Sequence, residues 1–345
     1  MIDTKETVTY PDYKVEFTMD NKVLISFFES RRQTESATKD TSDKSVSFFV
    51  VLLLSKETGE LIRRVEWPVL GESLSSRRIG HVSCIYPLPS SGYVGIINRH
   101  LQVLDPSFNV IHDRLLETSK DVYFDVIAPL YGQFFVLRSR ESYESSSFLT
   151  SEIIDFKTFK TVEKFIEHTL NLGIHDIWED QLVATRYHIE SDTRLFFKKR
   201  IGASQWNDLG LAQKGNDTAK FIHNGTIIIR GYTGQATNTK GFWFAIENGK
   251  KGELVSSGLL FKPSWNTSIV ASKRSYLPSF RSTFDLDSKV WIEAFDLSTQ
   301  QVLLATKRYS ASDIIDYAIS PNGDSIVLVT KKKIELYNVS NLRNC

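Results

Sequence analysis

A tight polar turn followed by an apolar strand recurs along this chain, and that recurrence limits the fold more than any other feature. The turns are Asp20-Asn21, Ser91-Gly92, Tyr131-Gly132, Glu179-Asp180, Asn224-Gly225, Lys273-Arg274 and Asn322-Gly323. After a longer first interval the steps are roughly 40 to 50 residues, the period of a four-stranded propeller blade. The runs behind the turns are short and rich in Val, Ile, Phe, Tyr and Leu, as in Lys22 to Phe28, Tyr93 to Ile97, Gln181 to Thr185 and Ser325 to Val329. Apolar runs of this length bounded by turn residues read as strands. Later turns at Lys56 to Glu60, Asp105 to Ser107 and Asp296 to Thr299 separate further apolar pairs and mark outer hairpins. One stretch, Thr161 to Leu172, fits either a helix face or an outer strand with a loop.

Seven turns predict an all-β, seven-bladed β-propeller of four-stranded antiparallel blades, one domain over residues 1–345. Counts of six or eight blades stay open, because the sixth repeat lacks a clear glycine turn. The first interval contains residues 31–44, a polar run with one apolar member, predicted to be a mobile insertion between two strands. Too few residues follow Val339 for another strand. The strand-like Glu6 to Tyr10 is therefore expected to pair onto the last blade and close the ring, since an open ring leaves two long edges.

The last repeat carries the clearest resemblance. Ser320-Pro321-Asn322-Gly323, then Ile334-Glu335-Leu336-Tyr337-Asn338, resembles a WD-repeat blade, with Ser-Pro-Asp-Gly in its inner turn and a closing apolar-x-apolar-aromatic-Asp. Here Asn322 and Asn338 stand for the two Asp, and Tyr337 for the Trp. The other repeats lack both signatures. The layout as a whole resembles the divergent WD-repeat-like and quinoprotein-like propellers of bacteria, which implies a fold and not a function.

Composition removes several function classes. The 42 basic residues are balanced by 41 acidic ones, so bulk positive charge does not coat nucleic acid. Two cysteines, Cys84 and Cys345, make neither a disulfide scaffold nor a zinc or redox motif, and Cys84 reads as buried and inert. The most apolar run, Phe48 to Leu54, is too short to span a bilayer as a helix. No signal peptide precedes the first strand, so a monomer in the reducing cytoplasm is expected. An extracytoplasmic place stays open for a mature form.

No motif announces catalysis. Gly231 to Gln235 lacks the Gly-Lys-Ser/Thr ending of a phosphate loop, no Gly-x-Ser-x-Gly elbow occurs, and no histidine pair has zinc-helix spacing. Adjacent cysteines of the quinone-dehydrogenase kind are absent too, and no cofactor is expected. A basic residue does recur where each second strand ends: Arg31, Arg99, Arg138, Arg186, Arg230, Arg281 and Lys331. Asn98, Trp178, Tyr187, Tyr232 and Phe280 lie nearby in sequence. Long basic side chains also end strands well, with stems over apolar edges and heads in water. Read functionally, Arg99, Arg138, Arg186, Tyr187, Arg230 and Arg281 form a ligand-binding ring at the top face. Guanidinium forks there would take carboxylates of an acidic protein or peptide. The expected function is thus a non-enzymatic interaction module. The alternative is a propeller hydrolase or lactonase with a metal at the channel mouth, drawing on His175, Asp176 and His188.

Overall fold

The computed structural model describes residues 13–32, 45–69, 83–90, 92–116, 122–143, 146–166, 172–188, 190–191, 193–213, 218–233, 240–245, 250–255, 261–275, 289–310 and 312–338. The insertion at 33–44, Glu6 to Tyr10, Phe280, Arg281 and Cys345 lie outside them.

Every regular element is a strand, and the strands form antiparallel sheets in chain order. The first sheet holds β1 (Lys14–Phe17), β2 (Lys22–Arg32), β3 (Ser45–Ser55) and β4 (Leu61–Pro68). The second holds β5 (Cys84–Pro87), β6 (Tyr93–Ile97), β7 (His100–Leu104) and β8 (Val110–Leu115). The third holds β9 (Val122–Ile127), β10 (Phe134–Tyr143), β11 (Ser146–Asp155) and β12 (Lys160–Ile166). The fourth holds β13 (Leu172–Trp178), β14 (Gln181–His188), β15 (Thr193–Arg200) and β16 (Asn207–Gln213). The fifth holds β17 (Thr218–Phe221), β18 (Ile227–Thr233), β19 (Lys240–Ala245) and β20 (Lys250–Val255). The sixth holds β21 (Phe261–Pro263), β22 (Ile269–Ser275), β23 (Lys289–Asp296) and β24 (Gln301–Ala305), with β25 (Tyr309–Ser310) also on β23. The last sheet has three strands, β26 (Ile314–Ile319), β27 (Ser325–Thr330) and β28 (Ile334–Asn338).

This is a β-propeller. Neighbouring sheets face each other across apolar clusters. Val136 and Ile153 of the third sheet meet Leu172, Ile174, Leu182 and Ala184 of the fourth. Val15, Phe17 and Val50 of the first sheet meet Ala318, Val327 and Val329 of the last, which joins the two ends of the ring through side-chain packing. The first strand of each sheet is innermost, and β1 runs beside β26.

Two expectations are corrected. The described residues build six complete blades, not seven; the last sheet stops at three strands. Counting inner turns counts sheets that begin, and Asn322-Gly323 begins one whether or not a fourth strand follows. Closure by Glu6 to Tyr10 lies outside the described residues. The sixth inner turn is also displaced. Lys273 and Arg274 lie inside β22, and the connection from β21 to β22 runs through residues 264–268. That turn uses a side-chain device in place of glycine. Ser264 Oγ donates to the Thr267 carbonyl at 2.9 Å, which is invisible to a search for Gly. The ambiguous stretch is resolved in part: Lys160–Ile166 is the outer strand β12.

Candidate binding site at the inner strands and the second-strand ends

The first strands are short and apolar, yet nearly every one carries an ionisable side chain. In β26 the register slips between Ile314 and Asp316. Such a bulge re-aims the side chain that follows it. Asp316 Oδ2 accepts the Val15 N–H at 2.8 Å and Lys262 Nζ at 3.2 Å. Lys262 also donates to the Val15 carbonyl at 3.1 Å and to Glu16 Oε1 at 3.0 Å. Strands β21, β26 and β1 are thereby tied together. Burial works against the Lys262 charge, but Asp316 and Glu16 outweigh it and hold its pKa above the usual lysine value.

The same device recurs in the fourth sheet. The register of β13 slips between Ile174 and Asp176. Asp176 Oδ2 accepts the Phe221 N–H at 2.8 Å, and Lys220 Nζ stands 3.6 Å from Oδ1. Burial pushes the Asp176 carboxyl pKa up, against the pull of Lys220 and the backbone N–H. On its N-terminal side, the Ile174 carbonyl accepts Arg138 Nη1 at 3.1 Å, and Arg138 Nη2 pairs with Asp125 of β9. Between them His175 bonds Thr185 Oγ1 at 2.7 Å. Burial first, then Arg138, Arg194 and Lys220, drive the His175 pKa down to about 3, so the imidazole is neutral at pH 7. In the first two sheets Lys14 Nζ donates to the Tyr86 hydroxyl at 3.1 Å.

The inner-turn end of the axis is bridged. Tyr131 Oη donates to Asn266 Oδ1 at 2.7 Å, and Asn266 Nδ2 donates to Asn322 Oδ1 at 2.8 Å. Tyr131 also accepts the Glu179 N–H at 2.9 Å through its carbonyl. Turns from the third, fourth, sixth and last sheets are thus linked. Gly132 permits this approach: at φ 98° a Cβ there would stand 2.6 Å from the Glu179 Cα. In each hairpin the second strand runs away from this turn, so its far end lies at the opposite mouth.

The predicted arginines divide. Arg138 and Arg186 share one face. Strand alternation puts Arg138 with Val136 and Arg186 with Ala184, on the apolar surface between the third and fourth sheets. The Arg186 guanidinium lies 5.4 Å from the Phe197 ring centroid, and its buried Nε has no hydrogen-bond acceptor among the described residues. Arg31 is turned elsewhere, held by Glu29 at 2.9 Å and Glu66 at 2.7 Å beside Arg64. Arg99 is exposed in the turn after β6. Asn98 of that turn donates to the Pro68 carbonyl at 2.8 Å. Lys331 is exposed just past β27. Arg230, Tyr187 and Tyr232 are placed by backbone alone, opposite Trp243, Arg194 and Gly241. Trp178 is at the bridged end, edge-on to Tyr131, and not with the arginines.

The metal alternative's residues each have other partners. His188 Nδ1 bonds Ser191 Oγ at 2.8 Å, while His175 and Asp176 are engaged as described. Among the described residues no three His, Cys, Asp or Glu side chains gather as a metal set. Sequence reasoning missed Lys14, Glu16, Asp125, Lys220, Lys262 and Asp316. Their signal is present: a single ionisable residue inside a short apolar run that leads into an inner turn, as in Thr218-Ala219-Lys220-Phe221.

No protein-family model matches the chain, and no curated protein matches it. Solved structures do. An acylaminoacyl peptidase of Pyrococcus horikoshii is similar at TM-score 0.59 and 11% identity, over 95% of this chain and 50% of that one. An oligogalacturonate lyase in complex with manganese is similar at TM-score 0.53 and 10% identity, over 94% of each chain. A chain of a mitotic checkpoint complex is similar at TM-score 0.52 and 9% identity, over 98% of this chain and 92% of that one. At these identities the likeness concerns the fold: the chain is a β-propeller.

Proposed function

We propose that this chain is a single propeller domain that works as a non-enzymatic interaction module and receives an acidic protein or peptide at the mouth opposite the inner turns. The observation that carries this reading is the pair Arg138 and Arg186 on one inter-sheet face, opposite Asp125 and Leu172 of their sheets' first strands. The inner-strand charges support it indirectly. Asp176, Asp316, Lys220 and Lys262 are occupied in holding sheets together, which leaves recognition to residues nearer the mouth. Propellers of this shape occur in an assembly such as the checkpoint complex and in enzymes alike, so the neighbours favour neither use.

The test is a peptide-binding screen with the whole chain, comparing acidic, neutral and basic peptides at stepped salt. Acidic peptides are expected to bind, and to weaken tenfold or more between about 50 and 500 mM NaCl as screening grows. Equal binding of all three classes, or none, would contradict the reading.

A further inference from the structure

We infer that the face between the third and fourth sheets holds one carboxylate group, gripped between the guanidinium forks of Arg138 and Arg186. This rests on the reading of an acidic partner given above and narrows it to a place and a charge.

The place follows from β13. Arg186 is opposite Leu172 in the ladder, and Arg138 donates to the Ile174 carbonyl. Those two residues are one strand repeat apart, about 7 Å along the strand. A carboxylate lying along this stretch of β13 would meet both guanidiniums through charge-assisted bonds of about 2.8 Å. Arg186 also presents a donor to be filled: its Nε is buried without an acceptor among the described residues. A buried donor left unpaired costs free energy, which an incoming acceptor recovers.

The charge follows from the partners. Arg138 and Asp125 cancel, and Asp176 with Lys220 cancel nearby. Arg186 has no ion pair with a carboxylate among the described residues, and Arg194 adds a second guanidinium close enough to act on His175. Asp125, about half-exposed, repels further negative charge. A monoanion suits the site; a phosphate dianion does not.

The experiment is fluorescence anisotropy with a labelled tetraglutamate peptide, N-acetylated and C-amidated so that its only carboxylates are side chains. Arg186→Gln is expected to raise Kd about tenfold or more, and Arg186→Lys less, because it keeps the charge and loses the fork. Arg31→Gln is expected to stay within about twofold, since its guanidinium is bound to Glu29 and Glu66. Acetate should displace the peptide better than phosphate at matched ionic strength. A thermal midpoint near wild type shows that each variant is folded. If Arg186→Gln binds as wild type does, or if phosphate displaces as well as acetate, the inference falls and the broader reading stands. If the wild-type chain ignores the peptide, both fall.

Discussion

Asp316 and Asp176 do work that polar residues inside a hydrophobic ring seldom do alone. Each follows a bulge, accepts a backbone N–H from the next sheet's inner strand and meets a lysine. Replacing Asp316 by Asn leaves Lys262 buried with Glu16 as its one remaining carboxylate. The expected loss is about 3 kcal/mol of unfolding free energy, read by urea denaturation, because breaking a buried pair strands its partner. His175 gives a pH signature of its own. Its folded pKa, about 3, lies below the ordinary 6.5, so the unfolded chain binds the proton first as pH falls. Stability is therefore lost from about pH 6.5 downward, by about 2 kcal/mol at pH 5. His175→Gln should flatten this part of the stability profile. Glu335, held down to about 2 by Lys307, Lys333 and Tyr309 against burial, loses its contribution only below about pH 4.5. Between about pH 6.5 and 4.5 the His175 effect therefore acts without the Glu335 one.

The short inner strands and their turns show what a sequence reveals and what it hides. Strand and turn were legible wherever Gly or Asn takes a left-handed conformation, as at Asn21, Gly132, Gly225 and Gly323. They were misplaced where Ser264 and Thr267 make the turn by side-chain bonds. The recurring basic residues are legible as a spacing, but spacing does not say which guanidinium already has an acid: Glu66 lies 35 residues beyond Arg31. The inner charges were hidden because their partners come from other sheets, as Lys262 shows with Glu16. Gly132→Ala tests the turn contact. The Cβ would collide with Glu179 backbone at a φ that L-residues avoid, and a cost of about 2 kcal/mol or more is expected. Gly59→Ala, where nothing lies within 4 Å, should cost only about 1 kcal/mol. Equal thermal shifts for the two would show that the turn contact carries no weight. On the rim, Leu61, Ile62, Val110, Ile111, Val162 and Ile166 are exposed on outer strands. Neighbouring charges such as Arg63, Arg64, Asp113 and Lys164 guard those edges against pairing.

In the molecule as a whole, the near-equality of acids and bases takes on a spatial meaning. On and beside the inner strands Arg138 meets Asp125, Lys220 meets Asp176, Lys262 meets Glu16 and Asp316, and Lys14 meets the Tyr86 hydroxyl. Tyr131, Asn266 and Asn322 bridge one end of the axis. At the other end the buried Nε of Arg186 has no acceptor among the described residues. The double change Arg138→Ala with Arg186→Ala should weaken binding of acidic peptides and flatten its salt dependence, because the charges that salt screens are gone. An unchanged salt slope in that variant would place the binding elsewhere. The most direct measurement is an NMR titration of the arginine side-chain Nε–Hε resonances with the capped tetraglutamate peptide. The predicted result is saturable shifts at Arg186 and Arg138 while Arg31 and Arg99 stay still. Shifts spread evenly over all four, or confined to Arg99 and Arg31, would contradict it.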